Sequence, residues 1–176
     1  MFKRILCILM VVLLCTSHAD AASKKKYYRS NKGSLPARVY YGEKTFVFNP
    51  ATLSWAAYNS SGYKIASGAA NGGASYCPDI GRRCSTPVGT YRVQSKGSVS
   101  CKSTRYPIKR VRGKVVRGGA PMPYCTYFST SFAIHGSPYI GGRNQSHGCI
   151  RVTTSSARWL SRNFLDVGTK VVVKPY

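Results

Sequence analysis

His135-Gly136 and Ser146-His147-Gly148-Cys149-Ile150-Arg151 are the part of this 176-residue chain whose reading decides its fold and chemistry. Apart from His18, they hold every histidine in the chain, and both stand close to Cys149 in sequence. A thiol is a weak nucleophile near neutral pH until a base takes its proton, and imidazole is the usual base. Gly148 permits a tight turn in which the successive amides of His147, Gly148 and Cys149 can converge on an oxyanion. The short apolar runs Phe132–Ile134 and Ile150–Val152 read as buried strands on either side of the motif. The pattern predicts a Cys149 nucleophile with His135 as its base.

A third group usually orients such a base. Beyond the first 21 residues the chain offers only Glu43, Asp79 and Asp166, none of them near the motif in sequence. The expected orienter of His135 is therefore a backbone carbonyl, most simply that of Gly136. Other readings of the same residues stand beside this one. Cys149 can be a disulfide partner, and His135 a buried structural histidine. His135, His147 and Cys149 have the ligand types of a zinc site, but a catalytic zinc would want a separate general base, and the acids are missing. The favoured chemistry needs no metal and no cofactor. Arg151 is either surface charge or a contact to an anionic substrate.

The start of the chain reads as an export signal: Lys3 and Arg4, an apolar run from Ile5 to Leu14, and Ala19-Asp20-Ala21 as a small-x-small cleavage site. The run is too short for a membrane span, which needs about 20 residues. Lipidation at Cys15 fits poorly, because Leu14 stands where a small residue is expected. Residues 1–21 are thus assigned to a secretory signal peptide, 22–36 to a flexible basic segment, and 37–176 to a single domain. The expected location is the periplasm or cell envelope, with no transmembrane span after leader removal.

Charge and cysteine content narrow the class. There are 27 Lys plus Arg against 4 Asp plus Glu, which implies attraction to polyanions, and the leader favours envelope polymers over nucleic acid. Residues 102–117 carry seven basic side chains and no acid, as a docking surface would. Past the leader five cysteines remain: Cys77, Cys84, Cys101, Cys125 and Cys149. An odd number in an oxidising compartment leaves one thiol over. If that thiol is Cys149, three pairings are open to the other four; Cys77–Cys84 and Cys101–Cys125 are favoured because each closes a short loop.

Along the domain the pattern is mostly strand. Val39–Tyr41 and Thr45–Phe48 flank a turn at Gly42-Glu43, and Thr52–Tyr58 and Tyr63–Ser67 flank the polar turn Asn59–Gly62. Gly89–Gln94 alternates, with Tyr91 and Val93 on one face. Residues 69–87 read as a stapled loop, and residues 96–123 as a long loop of the kind that is usually functional. One helix is expected, capped by Thr153 or Thr154, with Ala157, Leu160 and Phe164 on one face and Gly168 past its end. A Val-rich strand over residues 170–174 closes the chain. The class is mostly β with one helix near the C-terminus, with no repeat and no second domain.

The motif, taken in order with Thr86-Pro87-Val88-Gly89-Thr90-Tyr91, Phe46-Val47-Phe48 and Gly168-Thr169-Lys170-Val171, resembles the L,D-transpeptidase catalytic domain, the YkuD family. The resemblance runs over roughly residues 39–173. It implies a β-rich sandwich domain and a Cys149 thioester with the tetrapeptide stem of peptidoglycan. D-Ala is released, and the acyl group passes to an amine as a 3→3 cross-link or a bond to a protein. By the same resemblance His135 is the base with Gly136 as orienter, His147, Gly148 and Cys149 supply oxyanion donors, and Ser146 and Arg151 organise the donor side. The four other cysteines and the basic run over residues 102–117, where the family carries a lid, depart from the usual pattern. Two alternatives share the scaffold: an L,D-carboxypeptidase using water, and an idle cationic envelope-binding protein. A nucleic-acid binder rests on charge alone.

Overall fold

The computed structural model describes residues 35–176. The expected signal peptide, Cys15 and most of the basic segment lie outside the described residues. Eleven strands and one helix follow in order: β1 Thr45–Asn49, β2 Ser54–Tyr58, β3 Lys64–Asn71, β4 Gly89–Arg92, β5 Ser95–Lys96, β6 Ile108–Val111, β7 Lys114–Arg117, β8 Thr126–Tyr127, β9 Ala133–Gly136, β10 Ile150–Val152, α1 Thr154–Asn163 and β11 Lys170–Val173. Nine strands form one mixed sheet in the order β4-β11-β1-β2-β3-β10-β9-β8-β5, and β6 and β7 form a separate hairpin. The mostly β, one-helix class is the observed one. Its two layers come from a single sheet that curls on itself.

Alternation along β1 and β2 explains the centre of the sheet. Phe46, Phe48, Trp55 and Ala57 face a core shared with Ile134, Ile150, Leu160 and Val171. Val47, Ala56 and Tyr58 face the opposite side, where they meet Leu35. Strands buried on both faces carry continuous apolar runs, as these do. Leu35 and Pro36 belong to the folded unit: Leu35 is buried there, and the Tyr58 hydroxyl donates to the Pro36 carbonyl at 2.8 Å.

Three local expectations are corrected. Val39–Tyr41 forms no strand. Both edges of β1 are already taken, by β11 in parallel and β2 antiparallel, so Arg38 makes only an isolated bridge to Tyr63. Residues 96–123 are not all loop, because they contain the β6–β7 hairpin, turned by Arg112 and Gly113 at φ 49° and 76°. Gly168 does not end the helix. Phe164 is the C-cap, and Gly168, at φ 91°, turns the chain into β11 while its amide donates to the Val93 carbonyl at 2.8 Å.

Helix α1 positions the site from behind. The Thr153 hydroxyl accepts from the Ser156 amide, and Ala157, Leu160 and Phe164 pack one face into the main core. Only a glycine fits at position 136, since a Cβ there would stand 2.9 Å from Thr154 Cα and 3.1 Å from Pro123 Cγ.

Candidate active site

Parallel pairing of β9 with β10 sets Ile150 beside Ile134 and Arg151 beside His135, so the motif's two halves meet as neighbouring strands. Cys149 stands just ahead of β10, half-buried against Met122, Cys125 and Ala133. It is a free cysteine. Cys77 is bonded to Cys84 and Cys101 to Cys125.

His135 Nδ1 lies 2.9 Å from the Gly136 carbonyl oxygen. A carbonyl only accepts, so Nδ1 carries the hydrogen and Nε2 keeps its lone pair. The residue is 5% exposed, and burial pushes the ring's pKa down to about 4; the Gly136 bond opposes this and the Arg151 charge adds to it. Burial raises the Cys149 pKa, against a backbone hydrogen bond from Ala133 and the field of Arg151. Both groups are therefore neutral at pH 7. The thiol and the imidazole line the same cavity.

The turn before Cys149 is held from several sides. The Ser146 hydroxyl donates to the Cys149 carbonyl at 2.6 Å and accepts from the Gly148 amide at 3.0 Å. Thr86 donates to the Gly148 carbonyl at 2.8 Å and accepts from the Gly73 amide at 2.9 Å. The Tyr176 hydroxyl accepts from the Thr86 amide and donates to the Gly73 carbonyl. Gly148 sits at φ 115°, and a Cβ there would collide with the Phe132 ring. Ser146 is buried at the foot of the cleft with its hydroxyl engaged in the turn. In this resting geometry the Gly148 amide is likewise committed to Ser146.

His147 differs from the acid-free expectation. Its Nε2 donates to Asp79 at 2.8 and 3.0 Å, and its ring stacks on Tyr106 with centroids 4.0 Å apart. Asp79 rides on the loop closed by Cys77–Cys84, and both of those sulfurs lie against the Ser146 carbonyl. The short spacing of that disulfide was the available signal that Asp79 is held in place. Its contact with His147 spans 68 residues and leaves no local trace. Cys77, Asp79 and His147 come within 4.8 Å of one another, but the Cys77 sulfur is in a disulfide and offers no thiolate for a metal. The other two acids serve the far end of the sheet. Glu43 pairs with Arg92 and Lys170, which hold its carboxyl down at about 2, and Asp166 pairs with Lys44.

Two cavities reach Cys149. One, of about 370 Å³, extends toward Gln94, Tyr127 and Ser129–Ser131. The other, of about 350 Å³, is lined by His135, Ser137, Tyr139 and Arg151. Both include Ser103, Tyr106, Met122 and His147, so residues of the long basic segment line the space on either side of the sulfur. Arg151 pairs with no carboxylate among the described residues. The cleft thus gathers a free thiol, a buried imidazole and a half-buried guanidinium, with open space on both sides of the sulfur.

Residues 24–173 match the family model of the L,D-transpeptidase catalytic domain, YkuD. No curated protein matches the chain in sequence. Among solved structures the chain is similar to an L,D-transpeptidase from Xylanimonas cellulosilytica DSM 15894, at 22% identity and TM-score 0.64, covering 80% of this chain and 64% of that one. It is also similar to an L,D-transpeptidase from Mycobacterium smegmatis, at 20% identity and TM-score 0.60, over 76% of this chain and 59% of the other. A third is L,D-transpeptidase 3 from Mycobacterium tuberculosis in complex with a faropenem-derived adduct, at 21% identity and TM-score 0.58, over 75% and 60%. The chain thus spans under two thirds of the length of each. With a family model matched across nearly all of the described fold, the chain belongs to the L,D-transpeptidase catalytic domain (YkuD) family.

Proposed function

We infer that this protein is an exported peptidoglycan L,D-transpeptidase. It acts in cell-wall remodelling, with Cys149 as nucleophile and His135 as general base. The observation that carries this is the free Cys149 at the junction of two cavities, one of which it lines together with a buried neutral imidazole oriented by a backbone carbonyl.

Attack begins when the Cys149 proton passes to His135 Nε2 and the sulfur bonds to the meso-diaminopimelate carbonyl carbon of its peptide bond to D-Ala in a tetrapeptide stem. The amides of Cys149 and His147 face the developing oxyanion, and the Gly148 amide joins them if Ser146 releases it. His135 returns the proton to the departing amine, the C–N bond breaks, and D-Ala leaves. An acceptor amine then attacks the thioester and loses a proton to His135, which gives it back to the Cys149 sulfur. Arg151, a half-buried cation without a carboxylate partner among the described residues, holds the donor's anionic group. Ser146 acts as a positioning residue for the turn.

The two disulfides accord with an oxidising compartment, and the periplasm or envelope is the proposed location. Among the described residues no helix is long and apolar enough to cross a membrane. Incubating the mature protein with a meso-diaminopimelate tetrapeptide muropeptide and following products by mass spectrometry tests the reading. A 3→3 dimer establishes transpeptidation. Tripeptide plus free D-Ala makes the protein an L,D-carboxypeptidase with the same thioester. Unchanged tetrapeptide, with Cys149 reduced, rejects both.

A further inference from the structure

The β6–β7 hairpin and the loop closed by Cys77–Cys84 enclose a groove away from Cys149, of about 550 Å³. Cross-strand partners in an antiparallel pair share a face. Ile108 pairs with Arg117 and Arg110 with Val115, and all four of these residues line the groove. The facing wall supplies Ile80 and Arg82. That wall is rigid: the Cys77 amide donates to the Arg82 carbonyl at 2.9 Å, inside the disulfide-closed loop. Lys109 adds a fourth cation to the lining. The one acid there, Asp79, is already bonded to His147 at 2.8 Å.

We propose that this groove binds a linear phosphodiester polymer, with Arg82 on one wall and Arg110 and Arg117 on the other gripping its phosphates. The two non-bridging oxygens of a phosphodiester point in different directions and can accept from guanidinia on opposite walls, whereas a planar carboxylate matches one fork. Arg110 and Arg117 are diagonal neighbours across the hairpin, about 7–8 Å apart at Cα, which suits successive phosphates better than a single anion. Ile80, Ile108 and Val115 offer an aliphatic floor to the carbon linkers between them. Of the seven basic residues over 102–117, only Lys109, Arg110 and Arg117 line the groove, and Arg82 comes from outside that run. This site goes beyond the acyl-transfer reading and does not depend on it.

The test is equilibrium binding of the mature protein to a fluorescent synthetic poly(glycerol phosphate), with salt titrated. The triple variant R82S/R110S/R117S should lose at least about tenfold in affinity, and its log–log salt slope should fall by roughly 2, at about 0.7 per lost phosphate contact on a flexible single strand. The charge-matched control R38S/R158S/R162S, altered on other faces, should bind as the parent does. Arg82→Ser alone should weaken binding about threefold; it keeps the proposal testable if the triple variant lacks a cooperative melting transition. Equal losses in the test and control variants would mean diffuse charge and would overturn the site. Binding of polygalacturonate or phosphatidylglycerol vesicles in preference to the phosphodiester would overturn the assigned chemistry.

Discussion

His135 and His147 flank the same cysteine and are held in opposite ways. His135 lies inside a strand, buried, with its Nδ1 hydrogen fixed by the carbonyl of the next residue. His147 lies on a turn, more exposed, fixed by a carboxylate 68 residues away and by a stacked tyrosine from the long basic segment. A backbone carbonyl next in sequence cannot be lost without losing the strand, so the orientation of His135 is built into β9. The orientation of His147 depends on two loops, one closed by the Cys77–Cys84 bridge and the other carrying Tyr106. In the proposed mechanism, the contrast gives the indispensable proton transfer to His135 and an adjustable, loop-linked role to His147.

The largest effects should separate the two rings. Cys149→Ala should abolish D-Ala release while leaving the melting transition intact, and His135→Asn should slow it by about 10²- to 10⁴-fold, the usual span for a lost general base. Asp79→Asn should cost about tenfold, the lower end of what a charge-assisted hydrogen bond of about 1.5–3 kcal/mol supports. If Asp79→Asn instead matched His135→Asn, His147 would be an equal partner in proton transfer.

Acid sharpens the same comparison. His135 works as a base only when neutral, so activity should persist as pH falls and drop near about 4, the pKa that burial imposes. For stability, an unfolded histidine protonates near 6.5 while the folded His135 resists until about 4. The unfolded chain then binds the extra proton in that window, so stability should fall as pH drops from 6.5 toward 4, by on the order of 3 kcal/mol in total. His135→Asn should flatten that part of the curve in urea titrations at several pH values. An unchanged slope would mean His135 is not the group that resists protonation.

The smallest predicted effect concerns what the two rings share, the turn ahead of Cys149. Thr86→Val removes the hydroxyl that joins the Gly73 amide to the Gly148 carbonyl and should destabilise by about 1–3 kcal/mol. Turnover should fall in proportion to any shift of the turn, read as kcat rather than KM.

How much of this was legible beforehand follows the same local-versus-distant division. The free Cys149 and the bond from His135 to the Gly136 carbonyl were readable because they belong to one short motif in and just ahead of adjacent strands, where residue type and spacing carry the geometry. The disulfide pairs were favoured for a similar reason, since each closes a short loop. Asp79 and Tyr106 were not legible, because they reach His147 only through the folded path of two loops. The β6–β7 hairpin escaped detection for a different reason: its faces mix cations with valines, so no apolar alternation marked it as strand. The strand expected at Val39–Tyr41 failed because a local pattern cannot reveal that both edges of β1 are occupied.

The central claim is a covalent acyl-enzyme on Cys149. Intact-mass and peptide-mapping spectrometry of the protein quenched in acid during turnover of a tetrapeptide muropeptide tests it directly. The account predicts an adduct of the acyl tripeptide, with D-Ala lost, on the peptide containing Cys149 and on no other cysteine. Turnover without any adduct on a reduced Cys149, or turnover that survives Cys149→Ala, would contradict it.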